Sequence, residues 1–498
     1  MSIKKLASQT MWYGVSSIIA RFINYLLTPY LTFKFSESQY GEMSMVYAFI
    51  PFMNVVFTYG METAYFRFST KENKDDVFNT TSISILISTL LLSFVLILFY
   101  KPLATLLQIE NHAEYLLMSA AIIGLDTLTT IPYARLRQDG RPRKFAFTKL
   151  FGIIINIISL YFFLSICPKW LAVNPSHWCS TFFVKDWAVG YVLLANLIQS
   201  VITLLLLTKE FTGFKWQFNL TLWKSMMLYG IPLIVAGFAG MINETFDRIM
   251  LGWWAPVHTV IEAKAEVGIY AACYKLSILI SLSVQAFRMG AEPFFFKQST
   301  EENAPRTYAR VMKFFVITLC LMFLAVSMYL DIWKYFIRNP RMYVGLRVVP
   351  ILLLANMFLG IYYNLSVWYK LANKTMAGAW ITLIGAGLTM IINYFFIPYY
   401  SYMACAWATF ACYGSMMVVS YVWGQKHYRI PYAWKKLVSY IVISVILYFI
   451  HRGITALSDN HILNIGSATM LFLGFLWFVG KIEKKELLQI PVLNKLVR

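Results

Sequence analysis

Residues 82–100 read Ser-Ile-Ser-Ile-Leu-Ile-Ser-Thr-Leu-Leu-Leu-Ser-Phe-Val-Leu-Ile-Leu-Phe-Tyr, without one charged side chain. As a helix, a run of this length crosses most of a hydrocarbon layer about 30 Å thick. Similar runs recur from one end of the chain to the other, so that 59% of its 498 residues are hydrophobic and only 13% are charged. Soluble chains normally carry about a quarter charged residues. The sequence therefore predicts a protein that is surrounded mainly by lipid.

Charged clusters and Pro, Gly and Asn breaks divide the chain into about fourteen predicted spans. Each span must be helical, because lipid cannot satisfy exposed backbone groups and no segment alternates as a barrel strand would. We therefore predict an all-α polytopic membrane protein. The predicted spans lie near residues 10–33, 43–66, 80–100, 115–135, 148–167, 187–208, 226–252, 268–292, 311–331, 346–369, 377–397, 402–424, 437–453 and 465–480.

The net charge of +20 has to be interpreted by position. If the N-terminus is inside, the inner segments between spans hold roughly three times as many Lys and Arg residues as the outer segments. This alternation is typical of a multi-span protein and does not create a face for binding nucleic acid. It predicts that both termini are cytoplasmic.

The six cysteines show no zinc-binding spacing. Cys167 and Cys179 fall in or beside the longest predicted outward loop, at about residues 168–186. A disulfide between them requires an oxidising compartment and suitable loop geometry, and spacing alone leaves this question open. The loop is too short for a catalytic domain of its own, so we expect the function to lie inside the helix bundle.

An internal repeat is visible in the motif Gly60-Met-Glu-Thr-Ala-Tyr-Phe-Arg67, which recurs as Gly290-Ala-Glu-Pro-Phe-Phe-Phe-Lys297. Upstream, a shift of 227 pairs Arg21 with Arg248 and Gly41 with Gly268. Six spans per repeat predict two parallel lobes related by an axis along the membrane normal, with a substrate site between them. The predicted divisions are residues 1–208 (N-terminal lobe), 209–225 (cytoplasmic linker), 226–424 (C-terminal lobe) and 425–498 (two more spans and a basic tail).

Basic side chains within the spans are candidates for function, because an ionisable group at membrane depth costs at least about 2.5 kcal/mol. These candidates are Arg21, Arg248, Lys275 and Arg288, which together would bind an anionic headgroup in a cavity between the lobes. Arg21 lies near the middle of its span with no acidic residue within four positions. Two alternatives stay open: Glu244 neutralises Arg248 from one turn earlier, and Arg288 extends to the interface.

Acidic residues within the spans form a second group of candidates. Asp126, Asp247 and Glu244 are candidates for coupling to protons or sodium ions, or for pairing helices. Two further pairs lie at the inner ends of spans and are predicted to act in an inner gate or in packing. These pairs are Glu62 with Arg67 and Glu292 with Lys297. No metal and no organic cofactor is predicted.

Several motifs carry a resemblance to a known family. They are Leu26-Leu27-Thr28-Pro29-Tyr30-Leu31, Tyr40-Gly41, the Gly60–Arg67 motif, Tyr229-Gly230-Ile231-Pro232 and Asp247-Arg248-Ile249-Met250-Leu251-Gly252. As far as about residue 424, the chain resembles the polysaccharide transporter family, whose members include O-antigen-unit-type flippases for lipid-linked oligosaccharides. This family lies within the multidrug/oligosaccharidyl-lipid/polysaccharide exporter superfamily.

The resemblance implies two six-helix lobes plus two C-terminal helices. It also implies transfer of an undecaprenyl-diphosphate-linked oligosaccharide across the bacterial inner membrane by alternating access, for surface polysaccharide or lipopolysaccharide biosynthesis. Arg21 and Arg248 match basic positions of the family. The implied partners are this substrate, membrane lipids, and glycan polymerase and chain-length machinery.

Two other functions remain as alternatives. One is an organic-cation antiporter of the same superfamily, against which the basic cavity argues. The other is a membrane glycan polymerase or ligase, which commonly has a large outward loop that this sequence lacks.

Overall fold

The structure is a computed structural model that describes residues 3–299, 301–372, 374–457 and 460–487. All regular secondary structure in these ranges is helical. The helices of the first half are α1 (Ile3–Leu26), α2 (Thr28–Lys34), α3 (Glu37–Thr58), α4 (Met61–Phe68), α5 (Lys74–Leu98), α6 (Tyr100–Leu106), α7 (Glu114–Gln138), α8 (Pro142–Tyr161), α9 (Cys167–Val173), α10 (Ala188–Leu207), α11 (Leu220–Met241) and α12 (Asp247–Trp254).

The second half continues with ten more helices. They are α13 (Val260–Gln298), α14 (Ala304–Ser327), α15 (Leu330–Trp333), α16 (Val349–Leu365), α17 (Val367–Leu371), α18 (Thr375–Tyr400), α19 (Tyr402–His427), α20 (Trp434–Leu457), α21 (His461–Ile482) and α22 (Lys484–Leu487).

Thirteen helical segments of the described chain are long and apolar enough to cross a membrane. Each of them overlaps one predicted span. The fourteenth predicted span falls on α1 and α2, and α1 is 24 residues long but carries Arg21 and Asn24 among its apolar residues. The predicted all-α polytopic membrane fold is therefore confirmed.

Two long segments contain a π-helical turn. Residues Phe162–Ile166 join α8 to α9, and residues Ile242–Phe246 join α11 to α12. A π-turn adds a residue to one turn of the helix and changes the direction of the side chains that follow, and such turns are frequent at functional sites. The second π-turn lies directly before Asp247 and Arg248, so it changes which neighbours these residues face.

Packing divides the chain into two compact units. The first unit is Met1–Ala272 with Asn339–Met342 and Ala379–Cys412, and the second is Cys273–Arg338 with Tyr343–Gly378 and Tyr413–Arg498. In the first unit, α7 packs against α3, α5 and α10, and α8 packs against α1 and α10. The lobes predicted from the repeat follow a different criterion, and their boundaries stay a prediction.

A cluster of ion pairs around the buried Glu483 joins three helices of the second unit. Glu483, directly after α21, accepts hydrogen bonds from Lys313 at 2.7 Å, Lys436 at 2.6 Å and Tyr440 at 2.5 Å. Burial alone would raise the pKa of Glu483, but these donors hold the pKa below its ordinary value. Glu483 thus connects α14, α20 and α21 through a carboxylate that must stay ionised.

We expect Glu483→Gln to lower the free energy of unfolding by about 3 kcal/mol at pH 7, because it leaves Lys313 buried without its full charge partner. The pKa of Glu483 is lower in the folded protein than its ordinary value of 4.5. Its stabilisation is therefore complete above that value and is lost as the pH falls through the lower folded pKa. Thermal unfolding in detergent should show a difference that shrinks on acidification. A matched control is Asp331→Asn, which removes the exposed pair with Lys334 and should cost under about 1 kcal/mol.

Candidate functional site

The exposed surface of α1 has an apolar face and a polar face. Arg21 and Asn24 are exposed, and they share the polar face with Ser17, one turn before Arg21. Among the described residues, Arg21 has no ion pair or hydrogen bond. At 3.6 residues per turn it lies about 130° around the helix from the middle of the apolar stripe. That stripe consists of Val15, Ile19, Phe22 and Leu26.

Helix α8 places a second cation beside the polar face of α1. The Nζ atom of Lys149 donates to Ser17 Oγ at 3.3 Å, and Arg21 and Arg137 both lie close enough to repel the Lys149 ammonium. Neighbouring cations of this kind repel each other unless an anion lies close to them. The sequence alone does not single out Lys149, because a lysine at the start of a predicted span resembles an ordinary interfacial residue. No local signal connects it to Ser17, which is 132 residues away.

Arg248 has a different environment. Its side chain is only 12% exposed and pairs with Asp247 at 3.2 Å, and it also donates to the backbone carbonyl of Glu244 at 2.7 Å. The Tyr270 hydroxyl donates to the other oxygen of Asp247 at 2.6 Å. Of the alternatives left open by the sequence, pairing of Arg248 with the Glu244 carboxylate is not the one observed, since the carboxylate beside Arg248 is that of Asp247. The π-turn at Ile242–Phe246 changes the helical register, so that the acid beside Arg248 is Asp247 and Glu244 is exposed.

Arg288 lies on α13 within the second unit. Its Nε atom donates to Glu292 Oε1 at 2.9 Å, and its guanidinium lies 4.6 Å from the centre of the Tyr363 ring. Lys370 donates to the same Glu292 oxygen at 2.6 Å. The predicted pair of Glu292 with Lys297 does not form, and Lys297 is exposed. Residues five apart on a helix point in different directions, whereas Arg288 and Glu292 are four apart and share a face.

In the Gly60–Arg67 motif of the first unit, the predicted pair of Glu62 with Arg67 does not form either. Glu62 pairs with Arg137 of α7 and not with Arg67. The Arg67 guanidinium instead lies 4.2 Å from the centre of the Tyr229 ring of α11. Here too a spacing of five residues separates the predicted partners on the helix. Both motif residues hold α4 against its neighbours α7 and α11.

The predicted cationic residues therefore occupy unlike environments. Arg21 is exposed and lies near the half-buried Lys149, while Asp247 compensates Arg248 and Glu292 compensates Arg288. Lys275 is half-buried on α13 in the second unit. Of these side chains, Arg21 has the environment that most needs an external anion.

Asp126 of α7 is, with Glu244, one of two exposed acidic candidates. Its side chain is exposed and accepts a hydrogen bond from Ser200 of α10 at 2.7 Å. One turn earlier on α10, Asn196 accepts from Asn156 at 3.0 Å and donates to Tyr47 at 2.7 Å. Asp126 thus continues a row of polar groups across four helices of the first unit.

At one end of the α3–α4 segment, α3 crosses α13 in direct backbone contact. A Cβ atom on Gly41 would overlap the carbonyl oxygen of Lys264, and a Cβ atom on Gly268 would overlap that of Glu37. The contact is reciprocal, because each carbonyl lies four residues before the partner glycine. Glu42 and Lys264, both buried, form an ion pair beside it at 3.3 Å. The two glycines that the repeat pairs thus touch each other, at a distance that only glycine permits.

At its other end, the α3–α4 segment contacts α11 through a second pair of glycines. A Cβ atom on Gly230 would lie 2.9 Å from the Tyr59 carbonyl oxygen, and one on Gly60 would lie 3.2 Å from the Gly230 carbonyl oxygen. Gly60 also has a φ of 74°, which other residues rarely adopt. The segment is therefore held by close backbone contacts near both of its ends.

Comparisons with known proteins agree with this architecture. The family model described as Polysaccharide biosynthesis protein matches residues 6–299, more than half of the chain. The chain belongs to this polysaccharide biosynthesis family. A curated relative, a protein of the Lsg locus of Haemophilus influenzae, is 24% identical over 306 residues. That match covers 59% of this chain and 66% of the relative's length. The resemblance to polysaccharide transporters is confirmed.

Solved structures of a flippase and of transporters share the fold of this family member. The lipid II flippase MurJ, in an inward closed conformation, matches with a TM-score of 0.70 and 15% identity, covering 94% of this chain and 99% of that one. A multidrug resistance MATE family transporter in an inward-facing conformation matches with a TM-score of 0.64 and 13% identity, covering 84% and 94%. At these identities the likeness concerns the fold.

Replacing Asp247 with Ala should lower the free energy of unfolding by about 3–5 kcal/mol, because it leaves the mostly buried charge of Arg248 without its acid. Thermal unfolding in detergent, followed by tryptophan fluorescence, measures the change. Glu244→Ala is the matched control, since its exposed carboxylate pairs with no described side chain, and should cost under about 0.5 kcal/mol. Equal losses from both variants would contradict the assigned partner.

Proposed function

We propose that the protein is a flippase that moves an undecaprenyl-diphosphate-linked oligosaccharide across the bacterial inner membrane by alternating access, with both termini in the cytoplasm. The observation that carries this proposal is the polar face of α1, where an exposed Arg21 without an acidic partner lies near Lys149. Family membership in polysaccharide biosynthesis supports the sugar, and the fold shared with a lipid II flippase supports the lipid carrier.

The chemistry of the pair suits a diphosphate. A guanidinium offers parallel N–H donors that match two phosphate oxygens, and an ammonium adds a compact second charge. A cation at membrane depth is costly unless it faces water, a partner or a ligand. Because Arg21 has no acidic partner among the described residues, a phosphate group would relieve this cost at each passage. The other predicted cations would bind less tightly, since Arg248 and Arg288 already have carboxylate partners.

The two glycine contacts of the α3–α4 segment suit a protein that opens alternately to each side. In the proposed topology, Gly41 with Gly268 lies at the outer end of the segment, and Gly60 with Gly230 lies towards the inner end. Opening outward requires the first contact to separate, along with the Glu42–Lys264 pair, and opening inward requires the second to separate. A substrate that favours one state over the other would bias this equilibrium.

Ion coupling would use Asp126 rather than Asp247 in this proposal. Asp247 is occupied by Arg248 and Tyr270, whereas Asp126 is exposed and its described partner is a neutral hydroxyl. Glu244 is also exposed and is the second choice. Proteoliposomes with an imposed proton or sodium gradient would identify the ion, and flipping that ignores both gradients would reject coupling.

An organic-cation antiporter is the second candidate function, favoured by the MATE-like fold and by the exposed Asp126. The two functions differ in the sign of the charge that the site should bind. A cation would be repelled by Arg21 and Lys149 and would gain from Asp126 alone. Resistance to organic cations that rises on expression of the protein would favour this alternative.

Arg21→Ala and Lys149→Ala should each reduce surface glycan about tenfold or more in a strain that lacks the native protein, since each removes a charge-assisted contact to phosphate. Arg21→Lys should retain part of the activity, because it keeps the charge and loses the planar fork. Arg143→Ala, an exposed arginine at the start of α8, is the control and should leave glycan unchanged. Normal glycan at normal protein levels in the Arg21 and Lys149 variants would reject the assignment.

Gly41→Ala and Gly230→Ala should shift the protein towards opposite open states, because each added methyl group forces one backbone contact apart. Labelling of an introduced Asn24→Cys thiol by a membrane-impermeant reagent measures access. We expect Gly41→Ala to raise labelling in intact cells and Gly230→Ala to raise it in inverted vesicles. Gly240→Ala is the control, since nothing lies within 4 Å of its added Cβ atom. The same change in all three variants would contradict the two-gate proposal.

A further inference from the structure

We propose that Cys167 and Cys179 form a structural disulfide in the cell membrane, which joins the longest predicted outward loop to the start of α9. The proposal rests on the topology of the proposed function, which places this loop on the outer side. It goes beyond that function, because it assigns a covalent modification to residues that take no part in binding the substrate.

The geometry carries this inference. The two Sγ atoms lie 3.3 Å apart, although the residues are twelve positions apart in the chain. A disulfide requires a separation of about 2.05 Å, so the sulfur atoms have to approach by only about 1.3 Å. Cys167 is the first residue of α9, and Cys179 lies in the short 3-10 helix Trp178–Thr181. Spacing in the sequence could not settle whether the loop folds back this far, and the structure shows that it does.

Both thiols are fully buried in the folded loop, as the other described cysteines are in their helices. Trp178 contacts Phe162, Trp170 and Phe182 in a cluster of rings. Because neither thiol is accessible in the folded loop, an oxidant must act before the loop closes.

The chemical step is a thiol–disulfide exchange with a periplasmic oxidase of the dithiol/disulfide class. One cysteine thiolate attacks a sulfur of the oxidase disulfide and forms a mixed disulfide. The second cysteine then attacks the first, and the bond between Cys167 and Cys179 forms as the mixed disulfide breaks. Two electrons and two protons pass to the oxidase, which leaves as a dithiol. Oxidising compartments maintain such bonds, whereas the cytosol keeps thiols reduced.

The proposed disulfide would stabilise a loop that has little other regular structure. The loop returns the chain from α9 to α10, and α10 packs against α8 and α7 in the first unit. A cross-link restricts the unfolded chain and so favours the folded loop. The bond would thus fix the position of the loop between α8 and α10 while the segment α3–α4 moves.

The test uses the full-length protein in its native membrane. Free thiols are blocked with N-ethylmaleimide under denaturing conditions without reductant, and peptides are analysed by mass spectrometry. We expect the peptides that contain Cys167 and Cys179 to appear as one linked species without label. Its mass should be two hydrogen masses below the summed masses of the two reduced peptides. Cys273, Cys320, Cys405 and Cys412 should all carry the label and serve as internal controls. In a strain without the thiol oxidase, Cys167 and Cys179 should be labelled as well.

Thermal unfolding gives a second, independent readout. Reductant should lower the midpoint of the wild-type protein, and this shift should be lost in the double variant Cys167→Ser with Cys179→Ser. Cys412→Ser should keep the reductant-dependent shift. A wild-type midpoint that does not respond to reductant, together with labelled thiols at both positions, would overturn the proposal.

The failure of this inference can be separated from failure of the proposed topology. Lys185→Cys introduces a thiol at an exposed position of the same loop, and an impermeant reagent reports which side it faces in intact cells. Labelling at Lys185→Cys with free thiols at Cys167 and Cys179 would reject the disulfide and leave the topology standing. Absence of labelling there, with labelling in inverted vesicles, would reject the topology and the disulfide together.

Discussion

Lipid neither accepts hydrogen bonds from the backbone nor solvates charge, and this constraint accounts for most of what the structure shows. Backbone groups are satisfied locally, within long helices. Charged groups within the spans need partners or an aqueous surface. Asp247, Arg248 and Tyr270 satisfy the requirement among themselves, and so do Glu42 and Lys264. Arg21 does not, and that difference makes it the centre of the candidate site.

The same constraint explains why close backbone contacts matter in this fold. Hydrophobic burial cannot drive helices together in lipid, so packing distance and polar contacts decide which helices stay associated. Gly41 and Gly268 bring α3 and α13 into backbone contact, and Gly60 and Gly230 do so for α4 and α11. Contacts of this kind have no flexible side chain between them, so they are either formed or separated. A helical segment that carries one at each end suits a protein with two discrete states.

The residues of the candidate site were only partly predictable. Arg21 stood out in the sequence because a mid-span arginine without a nearby acid is unusual. Lys149 did not, since its relation to Ser17 depends on how α1 and α8 pack. The predicted pairs of Glu62 with Arg67 and of Glu292 with Lys297 do not form, because residues five apart on a helix point in different directions. The acid beside Arg248 is Asp247 and not Glu244, the alternative that the sequence left open.

The sequence alone determined the helical nature of the spans, most of their positions, and the family to which the chain belongs. Those properties depend on hydrophobic length and on short motifs, which are local and are read along the chain. Only the tertiary structure decided which polar groups meet: Ser17 with Lys149, Glu42 with Lys264, Ser200 with Asp126, and Cys167 with Cys179. Contacts between residues far apart in the chain depend on how helices rotate and cross, or on the path of a loop. Packing between distant segments determines both, and no local pattern in the sequence records it.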